Sequence, residues 1–141
     1  MKLSRLPIVA LVLGLAVAAA GCGDDATPTT PTSPNATTVT FTGTLSANGA
    51  ASHVFTATGA GTVTLTLTSL SLENGGTPPG VGISLGGVNA LACTAVVSRD
   101  QATPGTQIAG TTGGGTLCAR IFDAYGLVTD PVSYTLTVVH P

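Results

Sequence analysis

The chain has 141 residues and a mass of 13.7 kDa, with 7% charged residues, 19 glycines, no tryptophan and a formal net charge of −2. One ordinary domain fits this length, and a weakly acidic chain without a basic stripe gives nucleic acid no electrostatic foothold. Its 25 threonines, with few Lys, Glu or Gln, disfavour helix and favour short strands joined by tight turns.

Residues 1–21 read as a secretory signal. Lys2 and Arg5 give a positive start, Leu6–Val17 is an apolar run too short for a membrane span, and Ala18–Gly21 are small. The sequence Ala19-Ala20-Gly21-Cys22 resembles the lipobox of bacterial lipoproteins, with Ala19 where Leu is usual. That resemblance implies cleavage before Cys22, a diacylglyceryl group on its thiol and acylation of the new amine. An ordinary signal cut near Ala20 or Gly21 is the alternative. Two or three acyl chains suffice for stable anchoring to a membrane. Gly23 stands where an inner-membrane retention signal usually places Asp, so the same resemblance points to the outer membrane. Cleavage leaves 120 residues, with Arg99 and Arg120 set against Asp24, Asp25, Glu73, Asp100, Asp123 and Asp130, a net charge of −4.

Residues 22–38 form the expected tether behind the acylated cysteine. Pro28, Pro31 and Pro34, many threonines and almost nothing apolar leave this stretch unable to bury enough surface to order itself. In an extended form, at about 3 Å per residue, it holds a domain up to ~50 Å from its anchor.

The domain is expected from 39 to 141. Val39, Phe41 and Leu45 alternate with threonines, predicting a strand with one apolar and one Thr face. Ser52–Thr58, with Phe55 inward, predicts a second. In Thr62–Leu72 the apolar parity flips between Leu67 and Leu70, which predicts a bulge near Thr68-Ser69. Val81, Ile83 and Leu85 predict a fourth strand, ended by Gly86-Gly87. Leu91–Ser98 predicts a fifth, with Leu91, Cys93 and Val97 on one parity. Arg99–Gly115 reads as a polar loop with a brief strand at Thr106–Ala109. Thr116–Asp123 and Val132–His140 predict a closing antiparallel pair. Seven or eight short strands with frequent turns indicate an all-β fold, a single antiparallel β-sandwich of jelly-roll type.

Three cysteines are present. With Cys22 carrying lipid, Cys93 and Cys118 remain, and an even pair in an exported protein points to a disulfide. Metal-binding thiolates are the alternative, but no CxxC and no histidine stands at ligand spacing.

From Val39 onward the pattern resembles the bacterial pre-peptidase C-terminal domain and its lipoprotein relatives. The residues that carry it are Phe41-Thr42-Gly43-Thr44-Leu45 followed by Phe55, then Gly61-Thr62-Val63-Thr64-Leu65, and a closing segment from Arg120 to Val138. The resemblance implies a jelly-roll-like sandwich used as a non-catalytic accessory or binding module of secreted enzymes.

No residue set reads as a catalytic centre, and no cofactor motif is present. The histidines are His53, expected at a sheet edge, and His140, the second-last residue; no G-x-S-x-G occurs. Gly110–Gly115 lacks a P-loop lysine and reads as a loop. Asp123 and Asp130 could supply two of the six to eight oxygens calcium takes, but read more simply as turn-capping acids. With Phe41, Phe55 and Tyr134 assigned to the core, Tyr125 is the expected exposed ring and, with Asp123 and Asp130, the expected ligand contact. The expected partners are a membrane, through the lipid, and an extracellular polysaccharide or protein.

Overall fold

The computed structural model describes residues 35–141; the expected signal, Cys22 and most of the tether lie outside the described residues. Eight strands follow one another: β1 (Thr37–Leu45), β2 (Ala50–Ala57), β3 (Gly61–Leu72), β4 (Val81–Asn89), β5 (Ala92–Ala102), β6 (Gln107–Thr112), β7 (Gly115–Phe122) and β8 (Val132–His140). They form two antiparallel sheets, sheet A in the order β1-β8-β3-β6 and sheet B in the order β2-β7-β4-β5. The pairs β1/β8, β2/β7, β3/β6 and β4/β5 are nested. The chain is wound as a long antiparallel ribbon folded at the β4–β5 hairpin and rolled into a sandwich, which is the jelly-roll arrangement.

The expected closing pair is therefore not a pair. Strand β7 lies in sheet B between β2 and β4, whereas β8 lies in sheet A between β1 and β3. The connection 123–131 crosses between sheets because, in a rolled ribbon, each strand finds its partner at the matching position on the other arm. Strand β1 starts at Thr37, two residues before the expected boundary.

Alternation decides what is buried. Leu65, Leu67, Ile83, Ile121, Leu136 and Val138 from both sheets interdigitate in a core that Phe55 and Tyr134 extend. The parity flip in β3 is a bulge: Leu67 pairs with Leu136 and Ser69 with Thr135, leaving Thr68 over. Leu65, Leu67 and Leu70 thereby all reach the core. Outside sheet A the threonines meet across strands, as in Thr40 opposite Thr137, and Thr68 Oγ1 lies 2.8 Å from Thr137 Oγ1.

Three strand expectations change. Strand β4 does not stop at Gly86-Gly87 but runs to Asn89 and turns directly into β5. Leu91 is not on an inward parity; with Ala90 it makes the turn, both at positive φ (73° and 45°), and its side chain is fully exposed. The expected polar loop after Ser98 is largely strand, because β5 and β6 are edge strands that need bury only alternate residues, as Ala102 and Ile108 do.

Cys93 and Cys118 form a disulfide. Cys118 has the opposite parity to the core residues Ala119 and Ile121, so it faces outward from sheet B, yet it is fully buried. The hairpin tip covers it. Cys93 pairs with Val88 and Cys118 with Gly86, on opposite sides of β4. Strands flanking a flat third strand lie about 9.6 Å apart, but the two cysteine Cα atoms are 5.8 Å apart. The β4–β5 ribbon must bend sharply to achieve this. It does so where Val96 is an extra residue between the pairs Leu85/Val97 and Gly86/Ala95. Gly86 sits at the bend, where a Cβ would overlap the carbonyl of Thr94.

The loop closed by this bridge has a sequence separation of 25, so the chain-entropy argument assigns it about 3.5 kcal/mol. Urea denaturation of Cys93→Ala should show a loss of that order with an unchanged fold; a midpoint equal to the parent's would mean that the bridge constrains nothing.

Candidate functional site

Strand pairing defines two ends. Thr37 pairs with His140 and Gly61 with Thr112, so the start of β1, the chain end and the β6–β7 turn share one end. Leu45 and Leu72 both pair with Val132, so the connections 46–49, 73–80 and 123–131 share the other.

The expected contact residues fall on that second end but do not converge. Asp123 organises the loop: Oδ2 accepts from the Asn48 and Val128 amides at 3.0 and 3.3 Å, and Oδ1 from the Leu127 amide at 2.9 Å. Its own N–H donates to Gly49 O at 3.0 Å. Slight desolvation pushes its pKa up, but the amides of Asn48, Leu127, Val128 and Gly126 outweigh it and hold the carboxyl below its ordinary value. Asp130 accepts only from the Thr129 hydroxyl, at 3.4 Å. Among the described residues no three His, Cys, Asp or Glu side chains gather to hold a metal. Asp123 acts as a turn cap, and the loop it fixes presents Tyr125 and Leu127, 58% and 50% exposed, with Val128 tucked into the core.

His53 is not a bystander at a sheet edge. Although β2 is an edge strand, the ring turns inward and joins the two sheets: Nε2 lies 2.9 Å from Tyr134 Oη on β8. Phe41 of β1 stacks on the imidazole with ring centroids 4.7 Å apart. Gly43 opposite Tyr134 makes room for the phenol, since a Cβ there would come within 2.5 Å of Oη. Burial pushes the His53 pKa down and the Tyr134 pKa up, so both stay neutral near pH 7. The pair links the sheets at their β1/β2 side by a cross-sheet hydrogen bond.

An open apolar concavity lies on the opposite side, between the β6 and β5 edges. It holds about 440 Å³, with Val63, Leu85, Val97 and Leu117 as walls and Thr111 and Thr112 at the rim. Its origin is the absence of two side chains. Gly87 continues the inward parity of Ile83 and Leu85 on β4, and Gly110 continues that of Ile108 on β6. One inward position on each sheet is therefore empty at the same corner. The available signal was Gly87 and Gly110 themselves, which read as a strand end and a loop rather than as gaps in a core.

No family model matches the chain, and no curated protein matches it.

The titration of His53 gives a test. Because burial lowers its folded-state pKa, the unfolded chain takes up a proton first as pH falls below about 6.5, and stability declines through that window. Melting curves between pH 7.5 and 5.5 should therefore show a falling midpoint, with a slope shallower in His53→Gln by no more than about one proton. Identical slopes would remove His53 as the source. Asp123, whose pKa is also lowered, acts in a separate window: its contribution is complete above about pH 4 and is lost below it.

Proposed function

We propose that this protein is a non-catalytic lipoprotein of the bacterial cell envelope that displays a jelly-roll module on a Thr/Pro tether, with an outer-membrane location. The observation that carries this reading is the cysteine assignment. With Cys93 and Cys118 joined, Cys22 remains, directly after Ala19-Ala20-Gly21 and an apolar signal-like run. The disulfide fits an oxidising compartment, and a thiol in that setting fits acylation.

The two ends of the domain suit this arrangement. A tether that joins β1 at Thr37 enters at one end, and the Tyr125 loop occupies the other. The tether attachment and the loop thus lie at opposite ends of the domain. A jelly-roll-like sandwich is also the architecture that the resemblance to the pre-peptidase C-terminal domain implies.

A second reading is an accessory module that binds polysaccharide or peptide for a separate secreted enzyme. Its specific support is the exposed pair Tyr125 and Leu127 on a loop held at three points by one carboxylate. A rigid loop carrying an aromatic face loses little entropy on binding. Sugar binding abolished by Tyr125→Ala would favour this reading over simple display.

Intact mass of the protein from the membrane fraction tests the leading proposal. The expected species begins at Cys22, carries two or three acyl chains and retains one disulfide, and Cys22→Ala releases the protein from the membrane. An unacylated mature chain found in soluble form would overturn it.

A further inference from the structure

We infer that the cleft between β5 and β6 binds the hydrocarbon chain of a single-chain carboxylate amphiphile, a long-chain fatty acid. This inference stands on the cleft alone and does not depend on lipidation of Cys22.

Three observations converge. First, the lining is free of charge: aliphatic side chains, the backbone of Gly86, Gly87 and Gly110, and two threonines. A ligand there finds no ionic partner inside and little reason to carry polar groups along its length. Second, the size fits. A volume near 440 Å³ is about three times the ~150 Å³ that accommodates one benzene ring in an apolar protein cavity. It lies in the range of small-molecule pockets. Third, the next residue of inward parity on β5 beyond the wall residue Val97 is a cation, outside the lining itself. Arg99 pairs with Ile83 as Val97 pairs with Leu85, so it shares the inward face of β5 with Val97, two residues or about 7 Å along the edge. Arg99 is exposed. An apolar slot with a guanidinium beside it complements a chain that ends in a carboxylate.

The cleft is also not a packing accident that the backbone imposes. Gly110 lies in regular β6, paired with Val63, and does not have positive φ. A Cβ there would meet only Val97 Cγ2, at an ordinary 3.7 Å. A Cβ is sterically admissible at this position, so the backbone does not require glycine there. An inward-facing charge on an edge strand also hinders edge-to-edge pairing. That role for Arg99 predicts no dependence on the ligand's head group, which separates the two readings.

The test is displacement of a fluorescent polyene fatty acid, which the absence of tryptophan leaves free of interfering emission. The full chain carrying Cys22→Ser removes any acyl group of its own, and comparison among variants of that chain subtracts binding outside the cleft. Alkanoates from eight to sixteen carbons, below their micellar concentrations, should displace the probe with affinity rising about fourfold per methylene, then reach a plateau when the cleft is full. Gly110→Leu removes space for about four carbons and should weaken hexadecanoate binding by about 250-fold. Arg99→Gln should weaken hexadecanoate by about tenfold and leave hexadecanol unchanged. Should Gly110→Leu fail to fold, Gly110→Ala decides, lowering the plateau by one or two carbons. Non-saturable binding, a folded Gly110→Leu with parental affinity, or equal losses of acid and alcohol in Arg99→Gln would overturn the proposal.

Discussion

The sharp bend of the β4–β5 ribbon across the outside of sheet B is the constraint from which the rest of this structure follows. A jelly roll is one antiparallel ribbon rolled up, and its first turn is the hairpin at which the ribbon folds back. Here that hairpin is short, tipped by two non-glycine residues at positive φ, and held down by the Cys93–Cys118 bridge. The outer face of β4 makes the closeness possible. Gly82, Ser84 and Gly86 follow one another on that face: the Phe122 ring lies against Gly82, the Thr94 backbone lies against Gly86, and Ser84 between them is buried. The Arg120 guanidinium lies 5.4 Å from the centroid of Phe122, so the charge is stabilised by the ring it crosses. Strand β4 is therefore buried on both faces from Val81 to Gly86, by the core within and by Phe122 and its own hairpin without.

This clamp also accounts for where the molecule is open. Bending the ribbon toward the outside draws β5 away from β6, and Gly87 and Gly110 leave nothing between them to fill the gap. The opposite side of the sandwich is closed by contrast. There His53 and Tyr134 join the sheets by a hydrogen bond, with Phe41 stacked alongside. One side is thus fastened by a buried polar contact, and the other is left as an apolar slot. The far end carries a third device, a loop whose shape is fixed by Asp123. Fastening, slot and loop occupy separate parts of the surface, so each can be altered with little effect on the others.

Much of the fold was legible in the sequence because alternation with period two is a strong signal when threonine marks one face. The bulge in β3 followed from the phase change between Leu67 and Leu70, since no regular strand can change the face of its apolar residues. The disulfide followed from counting. Pairing was not legible: β7 and β8 are neighbours in sequence and belong to different sheets, a matter of how the whole ribbon is wound rather than of any local pattern. The ends of β4 and β5 were misread for a related reason. Gly86 and Gly87 look like terminators in a linear reading, but within the sheet they mark a bend and a void. The place of His53 at a sheet edge was legible, but its partner, 81 residues away, was not; Leu91 was misread because a two-residue turn took it out of the strand. The candidate cleft left no motif, for it consists of side chains that are missing.

The ribbon bends at Gly86 because no side chain fits beneath Thr94. Thermal melts of Gly86→Ala and Gly87→Ala, compared under identical conditions, test it most directly. The two glycines are adjacent, neither has positive φ, and a Cβ on Gly87 meets nothing within 4 Å. Gly87→Ala is expected to melt close to the parent, whereas Gly86→Ala loses about 3 kcal/mol or more, or does not fold. Equal midpoints for the two variants would contradict it.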